Sequence, residues 1–172
     1  MLSFDLRELE RHAATVDDRL AADDPVWEAG DVLPSEGVLA TGRLSKAGPG
    51  RYYWSGHIEG KAIASCRRCL TETSQQVRDD VHLLYVEEGD EEVADDPDAY
   101  RLPPRALSVD LRAAVREQWL LAAPKFVLCR EDCKGLCPRC GADWNVGPCE
   151  CKPETDSRWE ALRTVRHASE PR

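Results

Sequence analysis

Long apolar runs are missing from this sequence. No stretch approaches the ~18 consecutive apolar residues that a membrane-spanning helix requires. The first twelve residues, MLSFDLRELERH, are charged and contain no apolar segment of the length found in secretory signals. We therefore expect a cytoplasmic protein with no membrane partner, and in that compartment cysteine thiols stay reduced.

The motifs of common enzymes are missing too. No Gly-rich phosphate loop is present, since Gly135 and Gly141 stand alone. Serine, histidine and aspartate occur, but not in the context of a nucleophile elbow. Each histidine fits an ordinary surface or packing role, and all four lie outside the cysteine clusters: His12, His57, His82 and His167.

Basic residues are absent from one acidic segment, 87–98 (EEGDEEVADDPD). The chain of 172 residues has a net charge of −9, and this segment alone holds eight of its 32 acidic residues. The remaining 24 acidic residues nearly balance the 23 basic ones, so the charge excess is local. The segment is either a solvated loop or an acidic arm that engages a basic partner such as a ribosomal protein.

Cysteine, by contrast, is plentiful. Six of the eight cysteines lie between positions 129 and 151 with the spacing C-x3-C-x3-C-x2-C-x8-C-x-C, and the other two form an upstream C-x2-C pair. Thiols this close indicate metal ligation, disulfides or redox chemistry. Metal ligation is favoured, because a C-x2-C turn places two sulfurs on one ion and the short polar loops provide thiols little apolar cover.

Eight cysteines divide into two four-thiolate sites, and Zn²⁺ is the expected ion because it is redox-silent and tetrahedral. Shorter loops cost less entropy to close, which favours one division. The first site is then Cys66, Cys69, Cys129 and Cys133, and the second is Cys137, Cys140, Cys149 and Cys151. A crossed division stays open, in which the 129/133 pair joins the 149/151 pair and the 137/140 pair joins the 66/69 pair.

The apolar periodicity predicts an α+β fold: a small antiparallel β-sheet or partly open barrel, flanking helices, and a C-terminal Cys-rich zinc-binding module. Helical spacing predicts a first helix over residues 4–22, with Ser3 as its N-cap. Strands are predicted at 38–44, 52–58, 61–66 and 77–86. Cys66 and Cys69 would lie in the connection between the last two strands.

A second helix is predicted over residues 109–122, capped by Ser108 and ended by Pro124. The tail is predicted to form a last short helix over 156–165, with Trp159, Leu162 and Val165 facing inward. We expect residues 1–128 to form the α+β body, and residues 129–172 to form the cysteine-rich module with this C-terminal helix, packed on the body.

Three segments follow one another along the chain: CRRCL at 66–70, LLAAP at 120–124 followed by Cys129, and CKGLCPRCG at 133–141 followed by Asn145 and the C-x-C pair. Together they resemble the YceD family of bacterial and plastid proteins, which is linked to accumulation of the large-subunit 23S ribosomal RNA. The first segment is similar to the family's C-x-R-C-L motif after a strand. The sequence departs from the family pattern at Trp144, where leucine is usual, and at Asp156-Ser157-Arg158, where Asp-Pro-Arg is frequent.

The resemblance implies a non-enzymatic ribosome-biogenesis accessory protein. Such a protein acts in the synthesis, processing or stability of 23S rRNA and in large-subunit assembly. The implied partners are ribosomal RNA or large-subunit assembly intermediates, and possible further partners are basic ribosomal proteins. The cysteine pattern agrees, because sites with four thiolates and no water position are structural rather than catalytic.

Cations near the cysteines are the candidate RNA contacts, because affinity for nucleic acid comes largely from cations against phosphate. If the early pair shares an ion with the late segment, five cations converge on one face: Arg67, Arg68, Arg130, Lys134 and Arg139. Four more would extend it: Lys125, Arg158, Arg163 and Arg166. The alternative is that these are ordinary solvated cations, partly paired with Glu131 and Asp132.

Two other functions compete with this one. The protein could be a zinc-stabilised protein-interaction module that binds a ribosomal protein through the acidic segment. It could also be a thiol redox protein or metalloenzyme. The redox alternative predicts a metal-free C-x2-C pair with exposed sulfurs and one lowered pKa.

Overall fold

Most of the described structure is β-strand. The computed structural model describes residues 1–87, 99–151 and 158. The elements in chain order are β1 (Ser3–Asp5), α1 (Leu6–Leu9), β2 (Ala14–Leu20), β3 (Val38–Gly48), β4 (Arg51–Ser65), β5 (Glu72–Val86), β6 (Ala99–Arg101), β7 (Ser108–Asp110) and α2 (Arg112–Ala122). Small sheets with few helices agree with the predicted class.

The main sheet has five strands in the order β2-β3-β4-β5-β6. The first four are antiparallel neighbours, and β6 pairs with β5 in parallel. A separate two-stranded sheet pairs β1 with β7. Among the described residues the two outer strands of the main sheet do not pair with each other, so this sheet is open, consistent with the partly open arrangement expected from the sequence.

The longest feature is the hairpin of β4 and β5, with 15 residues in each strand. The pairing runs without a break from Arg51 opposite Val86 to Ser65 opposite Glu72. At about 3.3 Å per residue, the ribbon is about 50 Å long. Cys66 and Cys69 lie at its tip, in the connection between two strands, as predicted. The two strands predicted at 52–58 and 61–66 are a single strand.

The core lies on one face of this hairpin, where α2 packs. Alternate residues of β4 are buried, with Trp54 and Ile58 fully so, as the two-residue period of a strand requires. Trp119 of α2 is also fully buried, and its Nε1 donates a hydrogen bond to the Val32 carbonyl at 2.7 Å. This packing fixes where the chain leaves α2 relative to the hairpin.

The predicted N-terminal helix is wrong for most of its length. Only Leu6–Leu9 is helical, and its N-cap is Asp5, whose carboxylate accepts from the Arg7 N–H at 2.7 Å. Ser3 belongs to a strand instead. The buried residues Val16 and Leu20 are four apart, a spacing that fits either a helix or a strand, and pairing of β2 with β3 decides for the strand.

The second predicted helix is present but shorter. It spans Arg112–Ala122 and stops before Pro124, as expected. Ser108 is not its cap, because Ser108 pairs with Asp5 in the small sheet. The cap residue is Leu111, and the Arg112 N–H is bound by the Asp110 carboxylate at 3.0 Å.

Two predictions fall mainly on other parts of the chain. The tail helix over 156–165 lies outside the described residues except for position 158, and so does the acidic segment beyond Glu87. The division into a body and a module at position 129 stays a prediction. No helix within the described ranges is both long enough and apolar enough to span a membrane.

Packing of α2 on the hairpin predicts the effect of a methyl group at Gly60. A Cβ there would lie 2.8 Å from Cζ3 of Trp119, so we expect Gly60→Ala to lower the free energy of unfolding by about 1–3 kcal/mol. Denaturant unfolding measures it. Gly147→Ala is the matched control, because nothing lies within 4 Å of its Cβ, and it should change stability by less than about 0.5 kcal/mol. Equal effects of the two substitutions would contradict this packing.

Candidate metal centres

The hairpin tip meets the segment that follows α2 through four sulfur atoms. The Sγ atoms of Cys66 and Cys133 lie 3.8 Å apart, and those of Cys69 and Cys129 lie 3.5 Å apart. All four sulfurs lie within 4.8 Å of one another. Cys66 also forms a bridge with Val127, whose carbonyl accepts from the Arg67 N–H at 2.9 Å. We call this four-cysteine group the first centre.

The remaining four cysteines form a second centre. The sulfurs of Cys137, Cys140, Cys149 and Cys151 also lie within 4.8 Å of one another. The grouping coincides with the division favoured by loop length, and the crossed division does not occur. That these cysteines bind metal stays a prediction.

The spacing of the sulfurs fits a metal and excludes disulfides. Four thiolates held tetrahedrally at ~2.3 Å from one ion lie ~3.8 Å from each other. A disulfide requires sulfurs ~2.05 Å apart. All eight cysteines are free, and the two sulfur–sulfur distances of the first centre, 3.5 and 3.8 Å, match the edge of such a tetrahedron. A donor set of thiolates alone suits Zn²⁺.

Both C-x2-C turns have the same backbone. In the first, the Cys66 N–H donates to the Thr71 carbonyl at 2.8 Å, and the Leu70 N–H donates to the Cys66 carbonyl at 2.9 Å. In the second, Cys137 makes the equivalent two bonds with Ala142 and Gly141, at 2.8 and 2.9 Å. The residue after the second cysteine has a positive φ in both turns, +61° at Leu70 and +73° at Gly141. These turns aim both sulfurs to one side.

Hydrogen-bond donors favour the thiolate form in each centre. Burial raises the pKa of the Cys66 thiol, but the N–H groups of Cys129, Cys69 and Arg68 outweigh it and lower that pKa to about 6. The indole N–H of Trp144 and the Cys151 N–H likewise lower the pKa of Cys149 to about 6.

Neighbouring thiols have the opposite effect within the same centres. The adjacent Cys69 raises the pKa of Cys129 to about 12, and the adjacent Cys140 raises that of Cys151 to about 12. Four thiols this close therefore cannot all ionise unless a cation compensates their charge. A divalent ion bound in each centre would supply that charge.

The two centres differ in burial. In the first, Cys66, Cys69 and Cys133 are buried, whereas in the second only Cys137 is buried and Cys140 is exposed. The redox alternative predicted an exposed C-x2-C pair. The early pair does not meet that expectation, because its two residues have only 0% and 7% of their surface exposed.

Three residues that support the centres could not be assigned from the sequence. Asn145 donates from Nδ2 to the Cys133 Sγ at 3.5 Å, and its Oδ1 accepts from the Lys134 N–H at 2.8 Å, so it joins the second loop to the first centre. Trp144 donates from Nε1 to the Cys149 Sγ at 3.3 Å. Arg68 donates from Nη1 to the Cys133 carbonyl at 2.8 Å. The family resemblance singles out positions 144 and 145, and Arg68 is expected from the sequence to contact RNA. The roles observed here could not be read from it, because they depend on contacts between distant segments.

The segment between the centres fixes their relative position. The Leu136 N–H donates to the Arg68 carbonyl at 3.0 Å, and the Gly135 carbonyl accepts from the Trp144 N–H at 2.9 Å. One short strip of backbone therefore binds the hairpin tip and the loop of the second centre at the same time. The first centre thus positions the second.

The family model described as "Large ribosomal RNA subunit accumulation protein YceD" matches residues 54–166, which include both centres. The chain belongs to the YceD family. The match covers β4, β5, α2 and all eight cysteines, and it leaves out β1, β2 and β3. The family resemblance drawn from the cysteine motifs is thereby confirmed.

Several curated proteins are similar to this YceD-family chain. An uncharacterized protein of Mycobacterium tuberculosis is 28% identical over 130 residues, which cover 74% of this chain and 55% of that protein. The Arabidopsis thaliana protein named "Large ribosomal RNA subunit accumulation protein YCED homolog 1, chloroplastic" is 25% identical over 128 residues, covering 59% of this chain and 40% of that protein. The chain spans about half the length of the curated relatives it matches. No solved structure matches it.

Two four-sulfur groups predict two bound zinc ions per chain, and Cys66→Ser or Cys149→Ser should each remove one. Elemental analysis of the purified full chain measures the ions, and thiol titration after their release should recover all eight thiols. Ser65→Ala, beside Cys66 but exposed, is the control and should keep both ions. Fewer than one ion per chain would contradict the two-centre arrangement.

The backbone of the first centre predicts a difference between two glycines of positive φ, Gly135 and Gly141. Alanine at either position adds left-handed strain of about 1–2 kcal/mol. A Cβ at Gly135 would also lie 2.9 Å from the Arg68 carbonyl, whereas nothing lies within 4 Å at Gly141. We expect Gly135→Ala to lower the free energy of unfolding of the zinc-loaded chain by about 1–3 kcal/mol more than Gly141→Ala does. Denaturant unfolding measures this difference. Equal losses of stability in the two variants would show that Gly135 does not lie close to the Arg68 carbonyl.

Proposed function

We propose that this chain is a non-enzymatic cytoplasmic accessory factor in biogenesis of the large ribosomal subunit. It acts in the synthesis, processing or stability of 23S rRNA, through the surface that the two centres hold together. The observation that carries the proposal is the meeting of the hairpin tip and the late cysteine segment in a chain of the YceD family. The family name describes accumulation of an RNA and names no reaction.

Zinc has a structural role in this proposal. Catalytic zinc keeps one coordination position for water or substrate, but four cysteines fill a tetrahedral site completely. The described part of each centre offers four sulfurs and so leaves no such position. The binding free energy of the ions then becomes folding free energy of the segment from position 129 onward, which we propose as a module docked on the body.

The five proposed RNA-binding cations differ in how they are held. Arg68 donates to the carbonyls of Glu131 and Cys133, at 3.4 and 2.8 Å, so it positions the backbone. Arg130 pairs with Asp132 at 3.3 Å, and the side chain of Arg139 is also engaged in an interaction. Within the described ranges, the side chains of Arg67 and Lys134 are exposed and have no partner, so these two are the best placed to meet phosphate.

The two residues that flank the acidic segment in the described structure both lie at the base of the hairpin. Glu87 donates its N–H to the Gly50 carbonyl at 2.8 Å, and Ala99 pairs with Leu84. The base is the end of the hairpin opposite the cysteines. The acidic segment is therefore joined to the described structure at the base and not at the tip.

Complementation tests the proposal. In a bacterial strain that lacks its own YceD-family protein, the wild-type chain should restore the ratio of 23S to 16S rRNA. The pair Arg67→Gln and Lys134→Gln should restore it less, because two phosphate contacts are lost while all eight cysteines remain. In salt titrations of RNA binding, each lost contact should lower the slope by about 0.7–0.9.

The matched control is the pair Arg43→Gln and Arg78→Gln, two exposed strand cations away from the cysteines, which should behave like wild type. Cross-linking of RNA to the protein in cells should map to Arg67 and Lys134. If the Arg67/Lys134 variant restores 23S rRNA as fully as the wild type, the proposal that these two cations contact RNA is wrong. If the wild-type chain itself has no effect on 23S rRNA, the proposed function is wrong.

A further inference from the structure

A groove of about 790 Å³ opens beside the second centre. Its wall includes Lys134, Trp144, Asn145, Val146, Pro148 and Cys149. The described residues that line the groove include one cation and no carboxylate. A groove of this size can hold a nucleotide-sized group, and its wall combines an aromatic ring with amide and ammonium groups.

Trp144 is held at two points in this groove. Its backbone N–H donates to the Gly135 carbonyl at 2.9 Å, and its indole N–H donates to the Cys149 Sγ at 3.3 Å. The side chain nevertheless keeps 36% of its surface exposed. An aromatic ring with a fixed edge and an open surface loses little entropy when a flat partner stacks on it.

The charges around the groove determine where the phosphate and the base of a nucleotide can lie. A divalent ion with four thiolates carries a formal net charge of about −2, which disfavours phosphate next to Cys149 and Cys151. An uncharged base is not repelled there. Lys134 also lines the groove, and its ammonium has no partner among the described residues, so it is available to a phosphate there.

We propose that Trp144 stacks one unpaired base of single-stranded RNA while Lys134 contacts the neighbouring phosphate. The inference rests on the proposed function and narrows it to the class of RNA that is bound. Proteins read single-stranded RNA largely by stacking unpaired bases on aromatic side chains, and a base within a duplex is not available for this. A loop or an end of rRNA is thus favoured over a helical stem.

Fluorescence anisotropy with the zinc-loaded full chain tests the proposal. The probes are a short labelled single-stranded RNA and the same sequence as a duplex, and the wild type should prefer the single strand. Trp144→Leu removes the ring but keeps apolar volume, and it should weaken binding of the single strand by about 5- to 150-fold. Its salt dependence should stay that of the wild type, whereas Lys134→Gln should lower the slope by about 0.7.

Trp144→Phe keeps an aromatic ring and should retain most of the affinity. The matched control is Phe126→Ala, since Phe126 is an aromatic residue that is 77% exposed and outside the groove lining. Zinc content is measured for every variant, so that a lost centre is not taken for a lost contact. Two ions per chain are expected throughout.

Several outcomes would overturn the proposal. If Trp144→Leu and the wild type bound the single strand with equal affinity, no RNA base would stack on Trp144, and the occupant of the groove would be a protein partner. If the wild type bound the single strand and the duplex with equal affinity, the proposal that it recognises an unpaired base would be wrong. A wild-type chain that binds no RNA would refute the proposed RNA contact as well, whereas the first outcome alone leaves that contact standing.

Discussion

The structure depends on sulfur atoms from distant parts of the chain meeting at the hairpin tip. Beyond the main core, the only other buried cluster in the described residues consists of Cys66, Cys69 and Cys133, with Leu128 and Leu136 partly buried against it. Three cysteines bury too little apolar surface to hold two segments together at about 25 cal/mol per Å². Four thiolates also repel one another when no cation is present. A bound ion would supply the missing cohesion at the tip, and its binding free energy would then be part of the folding free energy.

The body determines where those sulfurs can meet. Trp119 packs at Gly60 of β4, and this contact sets the position at which the chain leaves α2. Seven residues after Ala122 the chain reaches Cys129, and on the way Val127 pairs with Cys66. Leu136 then binds Arg68, and the second centre follows. The packed core therefore positions the first centre, and the first centre positions the second. A substitution in the core can thus alter a candidate metal centre that it does not contact.

Local chemistry explains which features could be predicted from the sequence. Loop length favours the observed cysteine grouping without excluding the crossed one. The place of the Cys66 turn is predictable because a C-x2-C turn is a short-range structure. The segment around Val16 and Leu20 was mispredicted, since a four-residue spacing fits both periods and only pairing with β3 settles it. Gly60 looks like a break between two strands, yet its missing side chain makes room for Trp119. Asn145 and Arg68 act on groups far away in the sequence, which no local pattern encodes.

Charge is distributed unevenly between the two ends of the hairpin. The net charge of −9 comes almost wholly from a segment rooted at the hairpin base, whereas Arg67 and Lys134 lie at or beside the tip. The two ends are separated along a ribbon of about 50 Å, several times the ~8 Å over which salt screens charge at physiological ionic strength. Charge at Glu87, where the acidic segment begins, is therefore screened from a phosphate at the tip. In the proposed function this separation leaves Arg67 and Lys134 available to contact RNA.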